Sequence, residues 1–288
     1  MTPEQYLLAS YTALRASEQH VADDIKARLL LLLWRLRQSL LGSLPDTGIS
    51  RELILIPLLE AFALELQLYS NAFLAILLKQ LEQVDVTHSE RAAAYAGLTL
   101  TRRDYRPRRG DALLSTTRSG GMTLLQKFTP DPLSTLSPYT SGHLTAIRTK
   151  IQSAFLRQDP TIEIARSLVA ERTIRGYIQP INARGTSYSA LRNRDTALIA
   201  NSIWEVSGYA ERKIFERQKY LTARSATIAT IPTLPLFGSK GWQWNAVLDP
   251  KTCPICRPLD GLIRQNFNDF PYIPPVHPRC RCRLLPLG

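Results

Sequence analysis

Two leucine-rich stretches near the N-terminus, "LLLLLWRLRQSLL" and "LILIPLLEAFALELQLYSNAFLAILL", constrain this chain more than any other feature. The first is too short to span a membrane and is interrupted by Arg35 and Arg37. The second is long enough, but Glu60 and Glu65 fall near its middle, where each buried charge would cost about 2.5–3.5 kcal/mol in a bilayer. Helices of a bundle are expected, without membrane insertion. In the first, Leu29, Leu32, Leu33, Leu36 and Leu40 recur at three- and four-residue spacing. "GSLPDTGIS" supplies turn residues, Ser50 is placed to cap a second helix running to about Val84, and "HSERAAAYAGL" reads as a short third helix. The two long helices form an antiparallel hairpin. Leu29, Leu32, Leu33 and Leu36, with Leu55, Leu58, Leu59, Phe62, Leu66, Phe73 and Leu77, give more apolar surface than a two-helix contact covers, so self-association or a docked partner is expected.

Charge is divided unevenly. Residues 1–98 carry 8 Lys/Arg against 11 Asp/Glu, and residues 99–288 carry 28 against 13, which together give the net +12. A basic remainder of +15 suits an acidic surface or nucleic acid. Residues 99–141 are rich in Pro, Gly, Ser and Thr and lack sustained periodicity, so they read as a connector or extended arm. Arg102, Arg103, Arg106, Arg108 and Arg109 cluster there and are expected to meet a partner, as guanidinium groups bind carboxylates and phosphates in bidentate fashion.

Helical spacing returns from Gly142. "HLTAIRTKIQSAFLRQ" and "TIEIARSLVAERTI" read as helices, with Asp159-Pro160 capping the second. A long helix follows, with Leu191, Leu198, Ile199, Ile203, Val206, Ala210 and Ile214 on its buried face. In "WQWNAVLD", Trp242, Trp244, Ala246 and Leu248 alternate as in a strand. The expected class is α+β and predominantly α-helical: a helical hairpin domain at 1–98, the arm at 99–141, and a C-terminal domain at 142–288 closed by a small β element.

All four cysteines lie in "CPICRPLDGLIRQNFNDFPYIPPVHPRCRC", between residues 253 and 282. Cysteines used for packing scatter through a core, whereas those used for chemistry cluster. Cys253 and Cys256 form C-x2-C, and His277, Cys280 and Cys282 form H-x2-C-x-C. Five donors thus meet where tetrahedral zinc needs four, and four protein ligands would close the shell to catalysis. The first twenty residues lack the features of a secretory signal, so a reducing cytosol and reduced thiols are expected. Disulfides bridging the two pairs, and thiols that are merely buried, remain open alternatives. A thioredoxin-like motif fits poorly, since Arg257-Pro258 follows Cys256. A zinc deaminase is set aside, because "HSE" at 88–90 lies far upstream and Thr252 stands where the motif has proline. The four histidines, at 20, 88, 143 and 277, form no second cluster in sequence, and no enzyme is expected.

"GWQWNAVLDPKTCPICRPLDG" followed by "IPPVHPRCRCRLLP" closely resembles the end of the Mu F-like family of bacteriophage minor head, or head morphogenesis, proteins. The family signature falls on Trp244, Asp249, Thr252, Cys253, Cys256, Leu259, Asp260, Gly261, Pro274, Pro275, His277, Pro278, Cys280, Arg281 and Cys282. The arginine-threonine-glutamate that members often carry in the preceding helix is replaced by "LIANS", so no role is carried over from it. The resemblance implies a minor capsid component of a tailed phage virion, assembled in the bacterial cytoplasm. Its implied partners are the portal and capsid proteins, with contact to packaged double-stranded DNA. A zinc-knuckle protein that binds nucleic acid is the alternative reading of the same residues.

Overall fold

The leucine spacing carries into two long helices, α1 (Pro3–Ser43) and α2 (Ser50–Tyr95). The computed structural model describes residues 2–46, 50–98, 100, 106–119, 122–228, 240–250, 252–277 and 280–287. Further along come α3 (Gly110–Thr116), β1 (Arg118–Ser119), β2 (Met122–Thr123), α4 (Leu124–Phe128), α5 (Pro138–Leu156), α6 (Thr161–Leu168), β3 (Ala170–Ile174) and β4 (Tyr177–Ile181). The long α7 (Ser187–Ile228) precedes β5 (Trp242–Asn245), β6 (Ile263–Arg264) and β7 (Arg283–Pro286). Among the described residues, seven α-helices dominate and the strands are few and short, the α+β and mainly α-helical class expected.

The second helix does not stop at Val84. It runs to Tyr95 and absorbs the separate third helix expected at 88–98, because no Gly or Pro interrupts residues 58–96. Asp85, His88 and Ser89 look like surface in the sequence but are buried. The helix ends at Gly97, whose φ of +68° costs a residue without Cβ little, and Leu98 N–H donates to Ala93 O at 2.8 Å.

The chain divides into two compact units, to both of which α1, α2 and α7 contribute. The first comprises Met1–Gln19, Leu78–Ser119 and Ile199–Gly288. Tyr6 stacks on Tyr95 at 4.5 Å, which sets the start of α1 beside the end of α2 as in an antiparallel hairpin. The core of this unit joins Tyr6, Ala92, Ala93 and Phe215 to Trp242, Trp244, Cys256, Cys280, Cys282 and Leu284. The three-stranded sheet has the order β6-β5-β7, all antiparallel, with Trp244 opposite Leu284. Its central strand ends at Asn245, so Leu248, expected on the strand face, is 62% exposed.

The second unit comprises His20–Leu77 and Gly120–Leu198. Of the apolar residues expected to be surplus, Leu29, Leu33, Leu66, Phe73 and Leu77 are fully buried within the chain, and Leu32, Leu36, Leu55, Leu59 and Phe62 nearly so. The exposed large apolar residues on this part of α2 are others: Leu53, Ile56, Leu64 and Leu68. Phe73, Phe128 and Tyr139 stack with centroids 4.7–5.4 Å apart. Helix α5 starts at Pro138, four residues before the expected Gly142, with Ser137 Oγ accepting Thr140 N–H and Pro138 in the first turn. Helix α6 is capped from elsewhere: Thr161 N–H donates to Asp46 at 3.0 Å, and Pro160 rather than Asp159 holds the cap position. It stops at Leu168, and "AERTI", read as its continuation, pairs instead with β4 as a hairpin. Arg175 (φ +48°) and Gly176 (φ +82°) make the two-residue turn, both in the left-handed region that such tight hairpins require.

Residues 106–141 differ from the extended arm expected. Leu113, Leu114 and Leu124 are fully buried and Phe128 is nearly so. Gly110 lies so close to α2 that a Cβ there would sit 2.4 Å from the Leu78 carbonyl oxygen, and its N–H donates to Glu82 at 2.7 Å. Apolar pairs too short to show periodicity suffice to fold the segment down.

Candidate metal centre

The CxxC turn hangs from the end of β5 and is tied back to it by residues of the family signature. Gly261, at φ +77°, donates its N–H to Trp244 O at 2.8 Å, while Asp260 accepts Ala246 N–H at 2.7 Å. Trp244 is fully buried and contacts Phe270, so the strand that carries the turn is anchored in the core. Within the turn, Cys256 N–H points at Cys253 Sγ (3.2 Å) and Arg257 N–H at Cys253 O (3.1 Å). This is how a backbone turn aims two sulfurs at one point.

The second donor segment reaches the first through a clamp. Arg281, between the two cysteines of C-x-C, makes a bidentate pair with Asp249, both contacts at 2.5 Å. Asp249 is fixed in turn by Thr252, whose Oγ accepts the Asp249 N–H at 2.9 Å and whose own N–H donates to Asp249 O at 3.0 Å. The hydrogen bonds to Asp249 hold the Arg281 guanidinium above its ordinary pKa. Side chains alternate along an extended segment, so turning Arg281 toward Asp249 puts Cys280 and Cys282 on the opposite face together.

Five donors converge as a result. Cys256 Sγ lies 3.4 Å from His277 Nε2 and 3.8 Å from Cys280 Sγ. Two triads with mutual spacings within 4.8 Å, Cys253–Cys256–His277 and Cys256–Cys280–Cys282, share Cys256. Two sulfurs each about 2.3 Å from a tetrahedral ion would be about 3.8 Å apart, which is the Cys256–Cys280 separation. Cys253, Cys256, His277 and Cys282 line a cavity of about 10 Å³. Cys256, Cys280 and Cys282 are buried, while Cys253 and His277 are half-buried.

Ionisation of the thiols is split by their crowding. Burial pushes Cys256 up to about 12, and its contact with the Cys253 side chain adds to that. The Cys282 thiol brings Cys280 down to about 5, and the same contact drives Cys282 upward. Burial raises Cys253, but the Cys256 N–H and side chain outweigh it and leave the thiol below its ordinary value. Four sulfurs this close cannot all be thiolates unless a cation neutralises them, and that is the condition a soft divalent ion such as zinc satisfies.

Residues 181–285 match the family described as Phage Mu protein F like protein. By this segment the chain is similar to that family. The match begins at the last residue of β4 and covers α7, nearly all of the three-stranded sheet and every member of the cysteine–histidine cluster. No curated protein and no solved structure matches the chain. The resemblance read in the cysteine segment is thereby borne out, and its reach extends upstream through α7.

Of the arginine cluster, three members fall within the described residues. Arg102 and Arg103 lie outside the described residues, and Arg106 and Arg109 are exposed. Arg108 is folded onto its own unit: it pairs with Asp85 at 3.0 Å and lies 4.2 Å above the Tyr209 ring. Pro278 of the signature also lies outside the described residues.

Sequence reading missed two buried histidine–carboxylate pairs. In the first unit, His88 Nδ1 lies 2.9 Å from Glu211, whose other oxygen is 3.0 Å from Arg283. In the second, His143 Nε2 lies 2.9 Å from Asp195, which also accepts the Tyr69 hydroxyl at 2.6 Å. The available signal was an acid on an apolar stripe: Asp195 sits between Leu191 and Leu198, and Glu211 between Ala210 and Ile214.

Proposed function

We propose that this protein is a minor head protein of a tailed bacteriophage, docking on the portal during prohead assembly and closed at its C-terminal end by a structural zinc. The observation that supports the reading is a coincidence: the segment matching the Phage Mu protein F like family ends in five converging donors. Four of Cys253, Cys256, His277, Cys280 and Cys282 would hold the ion. When bound, it would cross-link the CxxC turn to the C-x-C segment and neutralise the thiolates, and four protein ligands leave no open position for catalysis. Asp249 and Arg281 act on the protein side by fixing the two segments before the ion arrives. The excess of 28 Lys/Arg over 13 Asp/Glu in residues 99–288 favours contact with packaged DNA or with acidic patches of the portal. Residence in the virion follows from that role, with assembly in the host cytoplasm.

Two measurements test this. Protein purified with zinc supplied should contain about one equivalent by elemental analysis, and a chelator should lower its melting temperature, since structural zinc in peptides is worth about 10–16 kcal/mol. Co-expression with the neighbouring head genes should place the chain in proheads beside the portal. Metal-free protein whose melting ignores the chelator removes the zinc, and proheads that exclude the chain remove the assembly role.

A further inference from the structure

We infer that the β3–β4 hairpin of one copy of this chain docks on the exposed ridge of α2 in a second copy. The inference stands on exposed residues other than those first expected to drive self-association, and it names one pair of surfaces. On α2, Ile56, Glu60, Leu64 and Leu68 succeed one another at four-residue steps, with Leu53 a turn earlier, so they form a single line along the helix. Leu53, Leu64 and Leu68 are 69–72% exposed and Ile56 57%. From residue 52 to residue 78 the chain has no Lys or Arg, while Glu52 and Glu60 are exposed and Glu65 is half-buried. The ridge is therefore apolar with acid along it.

The hairpin is its complement. Pairing of Arg172 with Gln179 and of Ile174 with Tyr177 puts these four side chains on one face. Tyr177 is 75% exposed, Ile178 on the other face 59%, and Arg172 and Arg175 are exposed. The one acid of the hairpin, Glu171, is already held by the buried Arg37 at 2.8 Å, so what faces outward is apolar and cationic. A two-stranded hairpin is marginal alone in water, and exposed Tyr with Arg is the composition of protein interfaces.

Among possible occupants, charge selects the hairpin of another copy. Ridge against ridge would oppose rows of glutamate with no cation between them. Hairpin on ridge places Arg172 and Arg175 near Glu60 and buries Tyr177 and Ile174 against Leu64 and Ile56. Each copy offers both surfaces, so the contact is head-to-tail and its products form a series beyond the dimer unless a ring closes.

Sedimentation velocity of the full chain over a range of concentrations tests the pairing. The wild type should assemble with rising concentration. Arg172→Glu with Arg175→Glu, and separately Glu60→Arg, should each raise the concentration for half-assembly about tenfold or more, because like charges then oppose across the contact. Combining all three changes in one chain should restore assembly, a recovery that mere misfolding would not give. Wild-type protein that stays monomeric at every concentration overturns self-association altogether, and its partition into lipid vesicles would assign the ridge to a membrane instead. Assembly that is unaffected by the hairpin changes, or not restored by the combination, leaves self-association standing and overturns this pairing.

Discussion

Replacing Glu211 by Gln removes one charge from a buried network that anchors the strand next to the cysteine–histidine cluster. Glu211 is 2% exposed, and Arg283, 3.0 Å away, is 5% exposed. Arg283 follows Cys282 directly and donates to the Cys282 carbonyl at 2.9 Å and to Ser207 Oγ at 2.8 Å. Without the carboxylate, the guanidinium stays buried with no counter-charge, a situation that costs about 3–5 kcal/mol. Against an ordinary total of about 5–15 kcal/mol, that is a large share of the stability. Equilibrium urea unfolding should show the loss as a lower midpoint at unchanged slope. Changing Arg283→Met in the same chain should recover most of it, since two neutral groups of similar volume need no pairing. The pH dependence follows from the sign of the shift. Burial pushes the Glu211 carboxyl up, but the Arg283 charge and the His88 hydrogen bond outweigh it and leave the pKa lowered. Its contribution is therefore fully present above the unfolded value of about 4.3 and lost as pH falls through the folded one. Glu211→Gln should flatten that part of the acid limb. A loss below about 1 kcal/mol, or a double variant no more stable than the single one, would refute the argument.

Three further outcomes are expected. Asp249→Asn, which halves the clamp on Arg281, should weaken zinc affinity about 10–100-fold in competition with a chromophoric chelator while leaving one ion bound per chain. Arg108→Ser should lower unfolding stability by about 1–3 kcal/mol, because Asp85 is 98% buried beside it, whereas Arg106→Ser with Arg109→Ser should change it by less than about 0.5 kcal/mol. Cys256→Ser should abolish stoichiometric metal, since this sulfur belongs to both triads, whereas Cys282→Ser should retain it through Cys253, Cys256, His277 and Cys280; cobalt substitution and its visible spectrum separate the two.

What could be read from the sequence was what is local or periodic. The stripe from Leu191 to Ile214 on α7 is buried as its spacing requires, and the donors at 253–282 converge because a CxxC turn and an alternating C-x-C are nearly self-determined. What escaped was long-range. His88 and Glu211 meet across 123 residues, and nothing near His88 distinguishes it from a surface histidine until that acid arrives. Helix α2 passes Val84 because Asp85 and His88 find distant partners, and sequence alone presents them as a polar end. The β3–β4 hairpin escaped because it is exposed, and so its two faces lack the apolar–polar alternation that identifies a strand with one side in a core.

The discontinuity of the first unit bears on how the protein can be made. Tyr6, Ala92 and Ala93 emerge early from the ribosome, yet the side chains that cover them, Phe215, Trp242 and Leu284, belong to the last third of the chain. Until β7 has been made, that apolar surface has nothing of its own to close on. A nascent chain stalled or cleaved before residue 280 lacks β7 and both thiols of the C-x-C pair, so such a copy is both unfolded in this unit and short of ligands. Synthesis through β7 thus becomes a checkpoint: only a copy that includes Leu284 and Leu285 can close this core. For the same reason residues 181–285, excised at the limits of the family match, would leave behind His88 and Tyr6 and should fail to fold as an autonomous module.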